Sequence, residues 1–324
     1  MILNQWYAIL PSKKVKVGKV IGVKRMNMDL VIFRNKDGEI GCVVDQCTHR
    51  GAALSLGKIK DNCIQCPFHG LEFNKIGKCV FIPANGKSST EEISRYNIKH
   101  YIVKEENEII YIWYGDEGKV TNELPFFDKE INNSFVFSEF EDYWNSHYSR
   151  CIENQLDVVH LPFVHKNTIG RGNKTLVNGP KLIWEDGILT TSANNEVDNG
   201  QKPKLPENCV IKETYLKFLF PNIWMNHIND KIKIIIYFAP VDNENTILYI
   251  RFYCKVSRIK IINRSIAYIG KFANKIIERQ DKRVVITQKP KISSVKSKEK
   301  LLLGDAPIIK YRKIRENLIN QTEN

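Results

Sequence analysis

Two short segments of this chain each join a thiol to an imidazole, Cys47-Thr48-His49-Arg50-Gly51 and Cys66-Pro67-Phe68-His69-Gly70. In a [2Fe–2S] centre, the thiolates of Cys47 and Cys66 can hold one iron and the imidazoles of His49 and His69 the other. Imidazole ligation raises the reduction potential above that of an all-cysteine cluster. The rings also titrate, so electron and proton transfer can be coupled at one edge. The same four donors could form a tetrahedral zinc site, but structural zinc modules usually pair Cys with Cys and His with His. Here sixteen residues lie between C-x-H and C-x2-H, from Arg50 to Gln65, with Gly51, Gly57, Pro67 and Gly70 marking turns. That spacing favours the iron cluster.

A second constellation lies in Glu153-Asn-Gln-Leu-Asp-Val-Val-His-Leu-Pro-Phe-Val-His165. A helix through this stretch would place Asn154, Asp157 and His160 on one side at three-residue intervals. Pro162 favours a turn, and His165 then returns toward the same point. Two imidazoles and a carboxylate from elsewhere make the facial triad of non-haem Fe(II) sites, which leaves positions open for O2 and substrate.

The two Cys/His loops resemble those of a Rieske domain. The extra cysteines that respiratory Rieske proteins join as a disulfide are replaced by Ala52 and Phe68. This resembles the branch found in soluble oxygenases and their ferredoxins, and leaves Cys63 as a spare thiol beside Cys66. At 324 residues the chain is far longer than a ferredoxin. With the opening Asn4-Gln5-Trp6-Tyr7 and the stretch from Glu153 to His165, it resembles the catalytic α subunit of Rieske non-haem iron oxygenases. That family includes aromatic ring-hydroxylating dioxygenases and O- or N-demethylating monooxygenases.

The resemblance implies one [2Fe–2S] cluster, one mononuclear Fe(II), and O2 as co-substrate. It implies a third iron ligand on the last long helix, where Asp281 stands in Glu278-Arg-Gln-Asp-Lys-Arg-Val-Val285. The plain alternative is a surface Asp281 paired with Arg279, Lys282 or Arg283, and Asp305, set in a turn by Gly304 and Pro307, is the other acidic candidate. For Asp157 the resemblance implies a bridge from His160 to His69 of the partner subunit in a head-to-tail homotrimer; the alternative is a carboxylate that only fixes the His160 tautomer. The chain lacks G-x-G-x-x-G and G-x-x-x-x-G-K-[ST], so NAD(P)H acts indirectly, through a flavin reductase directly or by way of a small ferredoxin. A noncatalytic electron-transfer or ligand-sensing protein is the alternative from another class.

These residues need elements to position them. Short strands with Gly, Asn and Asp at the turns fill the first third: Val15 to Val23, Leu30 to Arg34, Ile40 to Val44, Leu71 to Phe73 and Ile109 to Tyr114. Gly115-Asp-Glu-Gly118 breaks the pattern, which divides the chain into 1–115, an all-β Rieske domain, and 116–324, a catalytic domain. The second domain reads as a helix over Tyr143 to His160, strands over Lys181 to Thr191, Val210 to Phe220, Ile232 to Pro240 and Thr246 to Tyr253, and a final long helix over Ile259 to Val285. The fold class is α+β, with a helix-grip (START-like) antiparallel sheet behind the Rieske domain. Alternation over Phe218 to His227 points Trp224 and Asn226 or His227, with Tyr237 and Phe238 beyond, at an aromatic or similarly flat apolar substrate; a plain sheet core is the equal alternative.

Composition narrows the partners. Eight cysteines in a chain of this length fit a reducing compartment better than a disulfide framework, and the start shows no signal-peptide pattern, so a cytoplasmic protein is expected. No stretch is apolar enough to span a membrane. The net charge of +13 is concentrated at the far end, where residues 255–324 hold 18 Lys or Arg against 6 Asp or Glu. No nucleic-acid motif accompanies them, so the basic surface is expected to steer an acidic electron donor.

Overall fold

The computed structural model describes residues 1–323. The chain forms two compact units, Asn4–Leu124 and, together with Met1–Leu3, Pro125–Asn324.

The smaller unit is built from β1 (Gln5–Pro11), β2 (Lys19–Arg25), β3 (Met28–Arg34), β4 (Ile40–Val44), β5 (Lys58–Lys60), β6 (Cys63–Gln65), β7 (Glu72–Phe73), β8 (Cys79–Phe81), β9 (Val103–Glu106) and β10 (Ile109–Tyr114). Three antiparallel sheets result, ordered β1-β10-β9, β2-β3-β4 and β5-β6-β7-β8. Val31, Phe33, Val43, Leu54, Ile64 and Phe73 form a core shared by the second and third of these sheets, with Cys47 and Cys66 packed among them. The strand expected from Val15 starts only at Lys19: Ser12–Lys14 form a 3-10 turn, and Gly18 at φ +72° reverses the chain before β2.

The larger unit opens with β11 (Val136–Trp144), followed by α1 (Tyr148–Leu156), α2 (Leu161–Val164), β12 (Leu176–Val177), β13 (Leu182–Glu185), β14 (Ile188–Thr191), β15 (Asn195–Glu196), β16 (Tyr215–Leu219), β17 (Ile223–Asn229), β18 (Ile232–Pro240), β19 (Thr246–Cys254), α3 (Lys260–Val285) and α4 (Ala306–Glu323). Seven strands make one antiparallel sheet in the order β11-β19-β18-β17-β16-β14-β13, and β12 pairs with β15. Helix α3 lies across β11 and β19, while α1 packs on β18, α3 and α4. Trp144, Tyr148, Ile152, Phe218, Phe238, Ile250 and Tyr311 form the buried core between them. Among the described residues no helix is long and apolar enough to cross a membrane.

The α+β architecture is as expected; the strand expected over Lys181 to Thr191 is the hairpin of β13 and β14, that over Val210 to Phe220 begins at Tyr215, and three further elements differ. Tyr143 and Trp144 end a strand, because β11 pairs with β19 over nine residues as an edge of the sheet. Helix α1 stops at Leu156: Asp157 is extended at ψ 131°, and its Oδ1 accepts from the Val159 backbone N–H at 2.6 Å. A short carboxylate that bonds its own following backbone competes with the helix, and the β-branched pair Val158-Val159 gives the helix little in return. Helix α3 is not the last, since α4 follows it.

A buried ionic cluster fixes α1. Glu153 receives Arg312 Nε at 2.6 Å and Arg150 Nη1 at 3.0 Å, and both arginines also meet Glu299 at 2.8 Å. Two positive and two negative groups thereby tie α1 to α4, with Glu153, Arg150 and Arg312 all buried. Removing one charge from such a cluster leaves the others uncompensated, at about 3 kcal/mol. Glu153→Gln is therefore expected to lower the melting temperature of the larger unit by roughly 6–12 °C. Scanning calorimetry checks this, and an unchanged transition would show that the cluster carries no such load.

Candidate active site

The two Cys/His loops share one backbone frame. In the first, Cys47 N–H donates to Ala52 O at 2.8 Å and Gly51 N–H to Cys47 O at 2.9 Å; in the second, Cys66 N–H donates to Leu71 O at 2.8 Å and Gly70 N–H to Cys66 O at 3.1 Å. Both glycines are left-handed, at φ +74° and +77°, a conformation that side-chain-bearing residues avoid. The histidine sits two residues after the cysteine in one loop and three after it in the other. The loops nevertheless bring the His49 and His69 rings to 4.6 Å between centroids. Cys47 and Cys66 are buried while both histidines are exposed. Burial, with the Cys66 thiol alongside, pushes the Cys47 thiol up to about 11. Partial desolvation by the surrounding loop holds the exposed His69 below the ordinary imidazole value, with His49 and Arg50 adding to the effect. Two inner thiols and two outer imidazoles fit a [2Fe–2S] group with its histidine edge toward solvent. Cys63 is buried and, like all eight cysteines, free.

In the larger unit, three segments meet at one point. His160 precedes α2, His165 follows it, and Asp281 comes from α3. His165 Nε2 lies 2.9 Å from Asp281 Oδ1, His160 Nε2 3.4 Å from the same oxygen, and the two Nε2 atoms are 3.2 Å apart. Cis ligands at bond lengths of about 2.1 Å stand about 3.0 Å apart, so the three atoms match one face of a coordination sphere. Asp281 is 3% exposed, and its Oδ1 has no hydrogen-bond donor aimed at it. A buried carboxylate without a donor, facing two imidazole nitrogens, suits a metal cation and not a surface ion pair. Asp305 instead caps the turn before α4 by accepting from Leu302 N–H at 2.7 Å.

Neighbouring side chains set the ring tautomers. His165 Nδ1 lies 2.8 Å from Gln280 Oε1, which also accepts from Thr168 Oγ1 at 3.1 Å, so Nδ1 carries the proton and Nε2 faces the site. Burial works against charge on the His165 ring, but Asp281 and Gln280 outweigh it and hold its pKa above the ordinary value. Asp157 Oδ2 is 3.2 Å from His160 Nδ1, within ion-pair distance though off the line of a hydrogen bond. Gly170 makes the return of His165 feasible: a Cβ there would fall 1.7 Å from the Leu161 carbonyl oxygen.

The three atoms sit in the wall of a cavity of about 320 Å³, within the usual range for small-molecule sites. Asn154, Asp157, Trp224 and Asn226 line it, with Leu161, Ile169, Leu216, Ile228, Ile234 and Ile277 as its apolar surface. His227 does not. Strand alternation sends it to the other face of β17, where it stacks on Tyr215 at 4.3 Å and its Nδ1 lies 3.0 Å from Glu213 O. Phe218, Phe220 and Phe238 belong to the core, and the fully buried Tyr237 is likewise outside the cavity lining. Gln280, Thr168, Asn274 and Glu278 had no role assigned from the sequence. Asn274, Glu278 and Asp281 recur at helical intervals on α3, and that polar periodicity was the available signal. Burial, with Asp281 and Asp142 nearby, raises the Glu278 carboxyl well above its usual range.

Two family profiles cover most of the chain. The Rieske [2Fe-2S] domain profile matches residues 5–101, and that of the vanillate O-demethylase oxygenase C-terminal domain matches residues 144–321. The chain belongs to the Rieske non-haem iron oxygenases. Members of this family carry a [2Fe–2S] cluster and a mononuclear iron and use O2. This Rieske oxygenase is 29% identical over 257 residues to cholesterol 7-desaturase nvd of Drosophila melanogaster, covering 74% of this chain and 59% of that protein. It is 31% identical over 169 residues to the chloroplastic chlorophyllide a oxygenase of Chlamydomonas reinhardtii, covering 52% of this chain and 25% of that protein. Its alignments span less than two thirds of these relatives' own length. Among solved structures, Pseudomonas putida CBB5 NdmA shares the fold with a TM-score of 0.80 at 22% identity, over 99% of this chain and 92% of that one.

Loss of the Gln280 acceptor frees the His165 ring to turn and to change tautomer. Gln280→Leu is expected to weaken iron binding at the larger unit by about 10–100-fold, read by metal competition, with the cluster absorption intact. Unchanged affinity would remove Gln280 from the support of the site.

Proposed function

We propose that this Rieske oxygenase inserts oxygen from O2 into a neutral, apolar, flat organic molecule held in the cavity beside His160, His165 and Asp281. The carrying observation is the convergence of His160 Nε2, His165 Nε2 and Asp281 Oδ1 within 3.4 Å in that cavity's wall. In this reading residues 1–115 hold the cluster through Cys47, His49, Cys66 and His69, and residues 116–324 form the catalytic domain with the iron on the triad. When bound, the cluster supplies single electrons and the mononuclear iron activates O2.

The chain's own residues prepare both events. Gln280 keeps the Nδ1 proton of His165, and the nearby Asp157 carboxylate favours a proton on His160 Nδ1, which leaves both Nε2 atoms toward Asp281. Trp224 and Asn226 bound the substrate volume opposite α3, and Asn154 lines it from α1. Trp224 Nε1, Asn226 Oδ1 and Asn154 Nδ2 have no protein partner, so a substrate with one polar edge gains hydrogen bonds here that a pure hydrocarbon does not. Hydroxylation and oxidative demethylation both follow from this arrangement. Electrons come from an NAD(P)H-dependent flavin reductase, directly or through a ferredoxin, in the cytoplasm.

The Asp157 carboxylate is 23% exposed and stands 3.2 Å from His160 Nδ1, so part of it is open to a further partner. This supports a homotrimer in which Asp157 links His160 to His69 of the partner subunit. A noncatalytic sensor would need the cavity but not a complete ligand triad.

Iron analysis separates the two readings: three irons per chain are expected for the oxygenase, and two would support the sensor. His160→Ala and Asp281→Ala should each lose the mononuclear iron while the cluster spectrum persists; full iron and turnover in Asp281→Ala would place the third ligand elsewhere. Asp157→Asn should retain both centres yet pass electrons to the mononuclear iron far more slowly in single-turnover measurements. Mixed assemblies of Cys47→Ala with His160→Ala chains are expected to regain turnover that neither parent shows. No recovery in demonstrably mixed trimers would reject the route between subunits.

A further inference from the structure

Helix α3 is inverted relative to an ordinary surface helix. Its buried positions include Asn263, Asn274, Glu278 and Asp281, while Ile261, Ile262, Tyr268, Ile269, Phe272 and Ile276 are exposed, Ile269 by 68% and Ile261 by 64%. At about 100° per residue these six apolar side chains fall within an arc of about 120°, on the side opposite the buried stripe. A contiguous exposed apolar face of this kind marks an interaction surface.

The charge pattern selects the partner. From Lys255 to Ile277 the chain carries six Lys or Arg and no Asp or Glu. Arg264, Lys271 and Lys275 follow one border of the apolar arc. Lys271 Nζ stands 4.3 Å from the Tyr268 ring centroid and 5.2 Å from that of Phe272, and Lys275 Nζ stands 5.8 Å from the latter. The two lysines thus set their ammonium groups against aromatic rings at the edge of the apolar arc, the position of a cation at a lipid headgroup boundary.

We propose that α3 seats this protein on an anionic lipid surface, with the apolar arc entering the headgroup boundary and the basic border facing lipid phosphates. A two-fold contact with a second copy through this face fits less well, because it would set the Arg264, Lys271 and Lys275 rows against each other with no acidic residue between Lys255 and Ile277 to offset them. A soluble acidic electron donor would meet the basic border but give the six apolar side chains no role.

The test is co-sedimentation of the full-length holoprotein with vesicles of phosphatidylcholine alone, or with about 30% phosphatidylserine added. Binding to the anionic vesicles is expected to be at least about tenfold tighter and to weaken at high salt. Ile269→Glu combined with Phe272→Glu should lower it about tenfold or more, as should Arg264→Ala, Lys271→Ala and Lys275→Ala together. Retained cluster absorption shows that each variant is folded. The proposal is overturned if the wild-type protein shows no preference for anionic vesicles, or if neither variant changes binding. It is equally overturned if vesicles are ignored while the glutamate variant changes the assembly's mass by light scattering, which would assign the face to a second copy. Slower reduction of the basic-to-alanine variant by an acidic donor, without vesicle binding in the wild type, would assign it to that donor.

Discussion

The carboxylate of Asp281 is buried beside two imidazoles, and the cost of taking that charge out of water sets the terms for the rest of the larger unit. A desolvated carboxylate persists only with a cation or with donors directed at it. His160 and His165 present Nε2 atoms to it, and a bound metal ion would complete the compensation. Everything around the site serves to keep those three atoms near 3 Å from one another. Gln280 and Thr168 hold His165, the close passage of Gly170 under Leu161 shapes its loop, and the cluster of Glu153, Arg150, Arg312 and Glu299 fixes the helix from which the His160 segment departs.

The same constraint explains the inversion of α3. A helix that brings a carboxylate to the wall of this cavity turns Asn274, Glu278 and Asp281 inward. Its Ile, Tyr and Phe residues then fall on the opposite side, where no described part of the chain covers them. In the smaller unit the problem is solved differently. The thiols are buried and the imidazoles exposed because each loop reverses at its cysteine, with a left-handed glycine completing the turn.

Much of the chemistry was legible from residue types and local spacing. Cys47, His49, Cys66 and His69 stand in two short motifs, and His160 and His165 stand five residues apart, so their grouping needed little more than the chain itself. Strands β18 and β19 were also readable, since long apolar runs bounded by turn residues impose their own structure. The end of α1 was not. The side-chain bond from Asp157 to the Val159 backbone competes with helix at a place where three-residue spacing suggested that the helix continued.

What the sequence by itself determined was the set of metal-binding residue types and the two-domain, α+β character, because these rest on composition, short-range spacing and local periodicity. Tertiary structure alone brought Asp281, which the resemblance had named and which stands more than a hundred residues from His165, beside both histidines, while Asp305 caps a turn. It also decided that Trp224 and Asn226 face the cavity while His227 stacks on Tyr215. A strand's sequence fixes that neighbouring side chains alternate, but only its pairing and the helix laid across the sheet fix which face becomes the inside.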